Sequence, residues 1–269
     1  MCSTCGCGGE DGSTRVTLVD GHTHDHTHDH THDHTHDHDH AHDHPHDHGT
    51  RTVLLEQDIL AKNDLLAAAN RHRLTGHGIT AINLMSSPGS GKTTLLERTI
   101  TDLGDRRETL VIEGDQETWL DAQRIRSTGR KVVQINTGAG CHLDAEMLGR
   151  GLTELAPPDG SLVFVENVGN LVCPALFDLG ESARVVIISV TEGADKPAKY
   201  PYMFRTADLV LLNKIDLLPY VDFDVDLCLN LIHRLKPDVE MLPVSATRGD
   251  GIDAWHSWLA NRSEAAVLQ

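Results

Sequence analysis

A glycine-rich loop between an apolar run and an amphipathic segment is the most specific chemical motif of this 269-residue chain. The apolar run ends at Met85, and the loop continues as Ser86-Ser87-Pro88-Gly89-Ser90-Gly91-Lys92-Thr93-Thr94. Glycines let backbone N–H groups approach phosphate oxygens, and the N-terminus of a following helix adds partial positive charge. We expect Lys92 to reach the β- and γ-phosphates and Thr93 to ligate Mg²⁺. The residues predicted to hold the nucleotide phosphates are Gly89, Ser90, Gly91, Lys92, Thr93 and Thr94.

Ser86 stands where the first glycine of this motif usually lies. Serine is small, so the departure weakens the match only slightly. The alternative is a glycine–serine turn that arose by chance, and the strand–loop–helix setting disfavours it.

A second motif predicts which base the nucleotide carries. Asn213-Lys214-Ile215-Asp216 follows directly after an apolar run, and Ser245-Ala246-Thr247 follows the last such run. The Asp216 carboxylate can accept hydrogen bonds from N1–H and the 2-amino group of guanine. Adenine lacks both donors, and a site whose polar group is left unpaired rejects the wrong base strongly. Backbone N–H groups of Ser245 and Ala246 are expected near O6. The prediction is GTP; a small-molecule kinase would fit the phosphate loop but not this tetrapeptide.

Two acidic residues at predicted strand ends complete this site. Asp115 follows Glu113-Gly114, and Glu166 ends a strongly apolar run. One or both should hold Mg²⁺, directly or through water, and Asp115 could also orient the attacking water. Catalysis of phosphoryl transfer is mostly positioning and charge stabilisation, so Lys92, Thr93, Asp115 and Glu166 are the predicted catalytic set without a proton-abstracting base. The alternative for each carboxylate is a helix cap or a turn.

Three cysteines at the N-terminus have the spacing of a metal site. Cys2, Cys5 and Cys7 lie within six residues, so their thiolates can surround one soft or borderline divalent ion. The amine of Met1 would be a fourth ligand if Met1 is retained. The alternatives are zinc ligation and incidental reactive thiols, although no second cysteine pair follows to close a structural zinc site.

A histidine run follows, with histidine at every second position between Asp and Thr. Neutral imidazoles are good ligands, and composition alone permits nickel, copper or zinc. The run predicts metal storage; the alternative is an engineered purification tag, which would usually be uninterrupted. The predicted storage ligands are His22, His24, His26, His28, His30, His32, His34, His36, His38, His40, His42, His44, His46 and His48.

Two further places could bind metal. Cys141-His142 follows one predicted strand, and Cys173 lies seven residues after Glu166. Both would lie at the carboxyl edge of the sheet near the nucleotide, but lone cysteines are more often small core residues, so spacing alone leaves both interpretations open. Cys228 lies in an apolar helical segment and is predicted to be core. Four isolated histidines are predicted to face solvent: His72, His77, His233 and His256.

The elements that must position these residues alternate between strand-like and helical patterns. Nearly continuous apolar runs predict strands covered on both faces, and repeated βα units predict a mostly parallel, doubly wound α/β sheet of about seven strands with helices on both sides. The predicted strands are Thr80–Met85, Thr109–Glu113, Val132–Asn136, Leu162–Glu166, Val185–Val190, Leu209–Asn213 and Glu240–Val244. The predicted helices include Glu56–Arg73, Lys92–Leu103, Thr118–Thr128 and Leu143–Leu155.

Composition divides the chain in two. Residues 1–50 carry almost no apolar side chains and are predicted to be a disordered metal-binding tail, with residues 51–269 forming one nucleotide-binding domain. The net charge is −17, and no basic run offers a nucleic-acid surface. No apolar run approaches the ~20 residues of a membrane helix, so we expect a cytoplasmic protein with reduced cysteines and no membrane partner.

The motifs together resemble the HypB family of hydrogenase nickel-incorporation GTPases over nearly the whole chain. The resemblance rests on M-C-x-T-C-G-C-G, the histidine run, S-S-P-G-S-G-K-T-T, I-E-G-D-Q-E-T, N-T-G-A-G-C-H-L-D-A, F-V-E-N-V-G-N-L-V-C-P-A, T-E-G-A-D-K-P-x-K-Y-P, L-L-N-K-I-D-L-L-P and S-A-T-R-G. It implies the P-loop fold of the SIMIBI GTPases, GTP hydrolysis to GDP and phosphate, and nickel for an [NiFe]-hydrogenase.

The resemblance also implies roles for the cysteines. Cys2, Cys5 and Cys7 would form the tight nickel site. Cys141, His142 and Cys173 would form a domain site for nickel or zinc, shared across a nucleotide-dependent homodimer. The implied partners are a HypA-type nickel protein and the hydrogenase large-subunit precursor. Two alternatives remain: a sibling GTPase that serves urease, from which the N-terminal cysteines and the C-H-L-D motif depart, and a nickel buffer that needs no GTPase.

Overall fold

A computed structural model describes residues 15–18, 48–115, 120–138 and 140–267. The predictions on Cys2, Cys5, Cys7 and the histidines from His22 to His46 lie outside these ranges. His48 is described only as the first residue of a helix.

The described strands form a single sheet of eight. In chain order they are β1 (Arg15–Leu18), β2 (Thr80–Ser86), β3 (Thr109–Asp115), β4 (Val132–Asn136), β5 (Leu162–Glu166), β6 (Ala183–Ser189), β7 (Leu209–Asn213) and β8 (Glu240–Pro243). Across the sheet the order is β1-β4-β3-β5-β2-β6-β7-β8. All neighbours are parallel except β1 and β4, so the predicted doubly wound, mostly parallel sheet is confirmed.

Strand β1 departs from the expected count of about seven strands. It lies within the residues that we placed in the tail, and it pairs antiparallel with β4 along the open edge. Its four residues, of which only Val16 and Leu18 are large and apolar, are too few for a periodic pattern to be recognised. The strand therefore depends on the edge that β4 offers.

The helices lie on both faces of the sheet. They are α1 (His48–Gly76), α2 (Lys92–Leu103), α3 (Leu120–Arg126), α4 (Ala145–Leu155), α5 (Lys196–Lys199), α6 (Pro201–Thr206), α7 (Val225–Leu235) and α8 (Ile252–Val267). Helix α2 and strands β4, β5 and β7 have the predicted bounds; most other elements differ by a few residues at their ends. Helix α4 begins at Ala145 rather than at the predicted Leu143 because the Asp144 side chain caps it, accepting a hydrogen bond from Met147 N at 2.8 Å. None of the helices in these ranges is long and apolar enough to cross a bilayer.

Three groups of buried side chains hold the layers together. One face of the sheet packs against α2, α3 and α8, where Trp255 is the largest buried side chain. The other face packs against α1 and α4 at one end and against α6 and α7 at the other. Cys228 of α7 is fully buried there, as predicted, and burial raises the pKa of its thiol to about 12. A neutral thiol at this position is a packing group.

The sheet order brings the predicted site residues to one edge. Strands β3, β5 and β2 are neighbours, and Glu113 of β3 lies opposite Glu166 of β5 in register. The phosphate loop leaves the carboxyl end of β2 next to Glu166. Side chains far apart in sequence therefore meet where open α/β sheets bind their ligands.

Candidate nucleotide and metal site

The phosphate loop has a backbone that requires glycine. Gly89 and Gly91 have φ angles of 76° and 93°, in the left-handed region. A Cβ atom at Gly91 would lie 2.5 Å from Asn213 Nδ2, so a side chain cannot fit without displacing the loop that follows β7. Helix α2 then begins at Lys92. The first N–H groups of this helix and the loop face the place where phosphates would bind.

Three of the predicted catalytic side chains are in direct contact. Lys92 Nζ lies 2.9 Å from Glu166 Oε1, and the Thr93 hydroxyl donates to the same oxygen at 2.6 Å. Glu166 is 2% exposed, and its Oε2 atom has no hydrogen-bond partner among the described residues. A buried carboxylate oxygen without a partner is costly unless a cation takes it, and hard oxygen ligands suit Mg²⁺. Thr93 and Glu166 therefore fit a magnesium ion bound to a nucleotide.

Glu113 is a second buried carboxylate, and the sequence interpretation gave it no role. It is 2% exposed, and its Oε2 atom also lacks a partner in the described part of the chain. Burial, followed by repulsion from Glu166 and Asp115, raises the pKa of Glu113 to about 8. The feature that could have drawn attention to Glu113 is a carboxylate near the end of an otherwise apolar strand.

These groups line a cleft of about 520 Å³. Its walls include the phosphate loop, Asp115 at the end of β3, and Asp121 and Arg124 of α3. The structure thus places Asp115 in the same cleft as Lys92 and Glu166. A cleft of this size, with a lysine at the head of a helix and carboxylates opposite it, suits a nucleotide phosphate chain and its magnesium ion.

The residues predicted to bind guanine connect three loops. Asn213 Nδ2 donates to Ser90 O at 2.9 Å, and Asn213 Oδ1 accepts from Ala246 N at 3.1 Å. Ser245 Oγ donates to Asp216 Oδ1 at 2.6 Å, which fixes the carboxylate. Lys214, in the left-handed region with φ of 62°, donates to Gly89 O at 2.6 Å. The base-reading residues and the phosphate loop are therefore joined by direct hydrogen bonds.

A further set of contacts on the phosphate loop was not predicted. The Ser87 hydroxyl donates to Glu192, and Lys196 Nζ lies 3.0 Å from Ser87 Oγ and 3.1 Å from Glu192. Glu192 also accepts from Ser189 N, so it ties the loop to the end of β6. Glu192 and Lys196 belong to the T-E-G-A-D-K-P motif, which carried the resemblance without a residue-level role.

Cys141, His142 and Cys173 come together beside this cleft. Their candidate ligand atoms all lie within 4.8 Å of one another, and each residue is partly buried. The His142 ring stacks on Phe177 with centroids 4.0 Å apart. Burial lowers the pKa of His142, with Asp144 opposing the shift, so the imidazole is neutral at pH 7 and able to bind a metal. Two thiols and an imidazole form a donor set suited to zinc or nickel.

Comparison with known proteins assigns the chain to a family. The family model "CobW/HypB/UreG, nucleotide-binding domain" matches residues 80–243. The hydrogenase maturation factor HypB of Azotobacter vinelandii is 59% identical over 210 residues, which cover 78% of this chain and 69% of that protein. The chain belongs to the HypB family of hydrogenase maturation factors.

Two solved HypB structures resemble the fold. HypB from Helicobacter pylori in complex with nickel has a TM-score of 0.71 at 38% identity, covering 76% of this chain and 96% of that one. HypB from Archaeoglobus fulgidus has a TM-score of 0.71 at 40% identity, covering 76% of this chain and all of the other. The HypB fold, a P-loop nucleotide-binding domain, is therefore the fold of this chain.

The isolated histidines of this HypB chain lie away from the cluster. His72, His77 and His233 are exposed, as predicted, although His77 also pairs with Asp159 at 2.8 Å. The prediction that His256 faces solvent is wrong: its side chain is only 19% exposed. Helix α8 packs into the core through the preceding tryptophan, which turns His256 onto α2.

Proposed function

We propose that this HypB protein hydrolyses GTP to GDP and phosphate, and that it stores nickel and delivers it for maturation of an [NiFe]-hydrogenase. The main support for the proposal is the short separation in sequence between the predicted magnesium site and the thiol–imidazole cluster. Glu166, at the predicted magnesium site, and Cys173, in the thiol–imidazole cluster, are seven residues apart on one loop. A change at the γ-phosphate therefore has a short path to the metal ligands.

GTP binding follows from the loops after β7 and β8. Asp216, held by Ser245, accepts from N1–H and the 2-amino group of guanine. The contact of Asn213 with Ser90 O places the base-reading loop against the phosphate loop. Because adenine would leave the Asp216 carboxylate unpaired, GTP is favoured over ATP.

Hydrolysis uses positioning and charge. Lys92 stabilises negative charge that develops on the phosphates, and Thr93 and Glu166 would hold Mg²⁺. The ion neutralises phosphate charge when it is bound. Asp115, at the cleft wall, orients the attacking water.

Nickel is the cargo of this protein. Cys141, His142 and Cys173 supply three soft or borderline ligands, able to take nickel or zinc. The HypB of H. pylori, whose fold this chain shares, was crystallised in complex with nickel. In the same proposal, residues 1–50 are a metal-binding tail in which Cys2, Cys5 and Cys7 bind nickel tightly and the histidine run stores it. Residues 51–269 are the GTPase domain.

A second copy of the chain completes the cluster. Val172 and Leu176, on either side of Cys173, are 51% and 46% exposed, which is unusual for large apolar side chains next to a ligand. Packing of two such surfaces would share the metal site across a homodimer that GTP and Mg²⁺ favour. Hydrolysis would then release nickel to a HypA-type protein or to the hydrogenase large-subunit precursor.

Three measurements test the proposal. A competition assay should show displacement of bound GDP by GTP but not by ATP. Nickel affinity should differ between the GDP state and a non-hydrolysable GTP analogue, and Cys173→Ala should weaken it while Cys228→Ala, in the core, should not. Equal nickel affinity in both nucleotide states, with equal transfer to partners, would reject the switch. Hydrogenase maturation that survives Lys92→Ala would favour a simple nickel buffer instead.

A further inference from the structure

A buried hydrogen-bond chain starts at the residue after Glu166. Asn167 is fully buried, and its Oδ1 atom accepts from Leu143 N at 3.1 Å and from Val168 N at 2.9 Å. Leu143 directly follows Cys141 and His142. The side chain of Asn167, the residue next to Glu166 in sequence, therefore contacts the backbone of the loop that carries two metal ligands.

The same side chain is joined to the strand that carries the phosphate loop. Asn167 Nδ2 donates to Asn83 Oδ1 at 3.3 Å, and Asn83 Nδ2 donates to Glu181 Oε1 at 3.2 Å. Asn83 lies in β2, three residues before Ser86, and is fully buried. Glu181 accepts in turn from Leu179 N at 2.8 Å, on the segment that follows Cys173. These hydrogen bonds thus connect Asn167 to both segments that carry the cluster cysteines.

The loop from Asn167 to Cys173 also touches both sites. A Cβ atom at Gly169 would lie 3.2 Å from Pro88 N, so this loop packs directly on the phosphate loop. Further along, Asn170 Nδ2 donates to Cys141 O at 3.4 Å. The loop therefore lies between the phosphate loop and the cluster, in contact with each.

Helix α1 contacts the end of the segment that carries Cys141 and His142, which we call the metal loop, independently of the nucleotide site. Asn63 Oδ1 accepts from Ala145 N at 2.9 Å, and Asn63 Nδ2 donates to Asp178 O at 2.8 Å. Asn70 Nδ2 donates to Ala145 O at 2.7 Å. These contacts come from the far side of the loop and involve no phosphate-loop residue. They offer a control in which the metal loop is loosened without touching Asn167.

We propose that Asn167 is the positioning residue that couples nucleotide occupancy to the Cys141–His142–Cys173 cluster. This inference rests on the proposed function, in which GTP state changes nickel affinity. Lys92 Nζ contacts Glu166 Oε1, and a γ-phosphate would compete for this ammonium group. When Lys92 turns to the phosphate, the Glu166 carboxylate loses this contact, the end of β5 adjusts, and Asn167 transmits the adjustment to Leu143 N. A buried N–H that loses its acceptor is costly, so Leu143 follows Asn167.

The test uses the full chain with Cys2→Ser, Cys5→Ser and Cys7→Ser, so that nickel–thiolate charge-transfer absorption reports the cluster. Nickel is titrated with Mg²⁺–GDP and with a Mg²⁺-bound non-hydrolysable GTP analogue, and the ratio of the two apparent affinities is the coupling. The histidine run competes equally in both states, so it does not change the ratio. We expect a ratio of about 5 to 150 in the parent protein and about 1 in Asn167→Ala.

Two further variants keep the test decisive. Asn167→Ser retains a polar group in the buried site, but its side chain is too short to reach Leu143 N. It should therefore lose the coupling as well, and it replaces Asn167→Ala as the test if that variant does not fold. Asn63→Ala should weaken nickel binding equally in both nucleotide states and keep the parent ratio. GTP affinity measured for each variant checks that the nucleotide site is intact.

The outcomes distinguish failure of the proposed nucleotide switch from failure of the role of Asn167. A parent ratio of about 1 would overturn the switch in the proposed function and this inference with it. A clear parent ratio that persists in Asn167→Ala or Asn167→Ser would overturn only the role of Asn167. Loss of the ratio in Asn63→Ala as well would also overturn it, because any loosening of the metal loop would then suffice.

Discussion

Replacing Glu113 by glutamine tests whether ionisation of this buried carboxyl, close to Glu166 at the carboxyl ends of β3 and β5, destabilises the fold. Glu113 is 2% exposed, and burial together with Glu166 raises its pKa from an ordinary 4.5 to about 8. Without nucleotide and Mg²⁺, the folded protein therefore keeps this proton at pH values where the unfolded chain has lost it. Glutamine has nearly the same shape as the protonated acid and cannot ionise.

The direction of the pH dependence follows from this difference in proton binding. The stabilising contribution of the protonated carboxyl is fully present below pH 4.5, falls as the pH rises through the window between 4.5 and about 8, and is lost above it. At about 1.4 kcal/mol per pKa unit, the loss is at most about 5 kcal/mol. Glu113→Gln should therefore stabilise the protein on the alkaline side and leave it nearly unchanged on the acid side.

Urea unfolding of both proteins, in chelator and without nucleotide, measures the effect at about pH 5 and about pH 9. The control is Glu240→Gln on the outer strand β8, because Glu240 is exposed and its replacement should change stability little at either pH. An equal change for Glu113→Gln at both pH values would refute the reasoning, since packing rather than ionisation would then explain it. So would a destabilisation that grows with pH.

Five other substitutions, two of them controls, should have separable effects. Gly91→Ala should destabilise the protein and abolish GTP binding because its Cβ would clash with the Asn213 side chain. Gly104→Ala has open space around its Cβ but a strained backbone with φ of 52° and ψ of −137°, so it should cost about 1 to 3 kcal/mol and leave GTP binding unchanged. Asp144→Ala and Asp224→Ala both remove N-caps and should each cost about 1 kcal/mol in thermal unfolding, but only Asp144→Ala should weaken nickel binding. Trp255→Phe, which loses an indole hydrogen bond to a buried threonine and leaves a cavity in the core, should cost about 2 to 3 kcal/mol without changing GTP affinity.

The parts of the fold that local sequence determines were predictable. The glycines before Lys92 fix a loop and the start of α2, so both bounds of that helix were predicted. Continuous apolar runs fixed the bounds of β5 and β7, because a strand buried on both faces leaves polar residues only at its ends. Strand β4 also has its predicted bounds, although Gln134 interrupts its apolar run. Glu166 ends β5 and Asp216 follows β7, so both must lie at the carboxyl ends of the parallel strands.

The parts that depend on register between distant segments were not predictable. Glu113 matters because it lies opposite Glu166, which is 53 positions later, and no local pattern contains that pairing. The sequence interpretation gave Asn167 no role, and the residue is singled out only by its contacts with Leu143 and Asn83 on two other segments. Residues 15–18 form a strand only because β4 leaves an edge open. Each of these features is a contact between elements rather than a property of one.

The pairing of charges explains how the predicted magnesium site and the thiol–imidazole cluster could be linked through one loop. Glu166 is buried and depends on Lys92 for compensation at 2.9 Å. If GTP draws Lys92 to its phosphates, Glu166 would be left as an unpaired buried charge, which costs several kcal/mol, unless Mg²⁺ arrives with the nucleotide. In the proposed switch, loss of the γ-phosphate would return Lys92 to Glu166. Because the Glu166 carboxylate would shift as its cation partner changes, we expect Asn167, the next residue in the chain, to move with it.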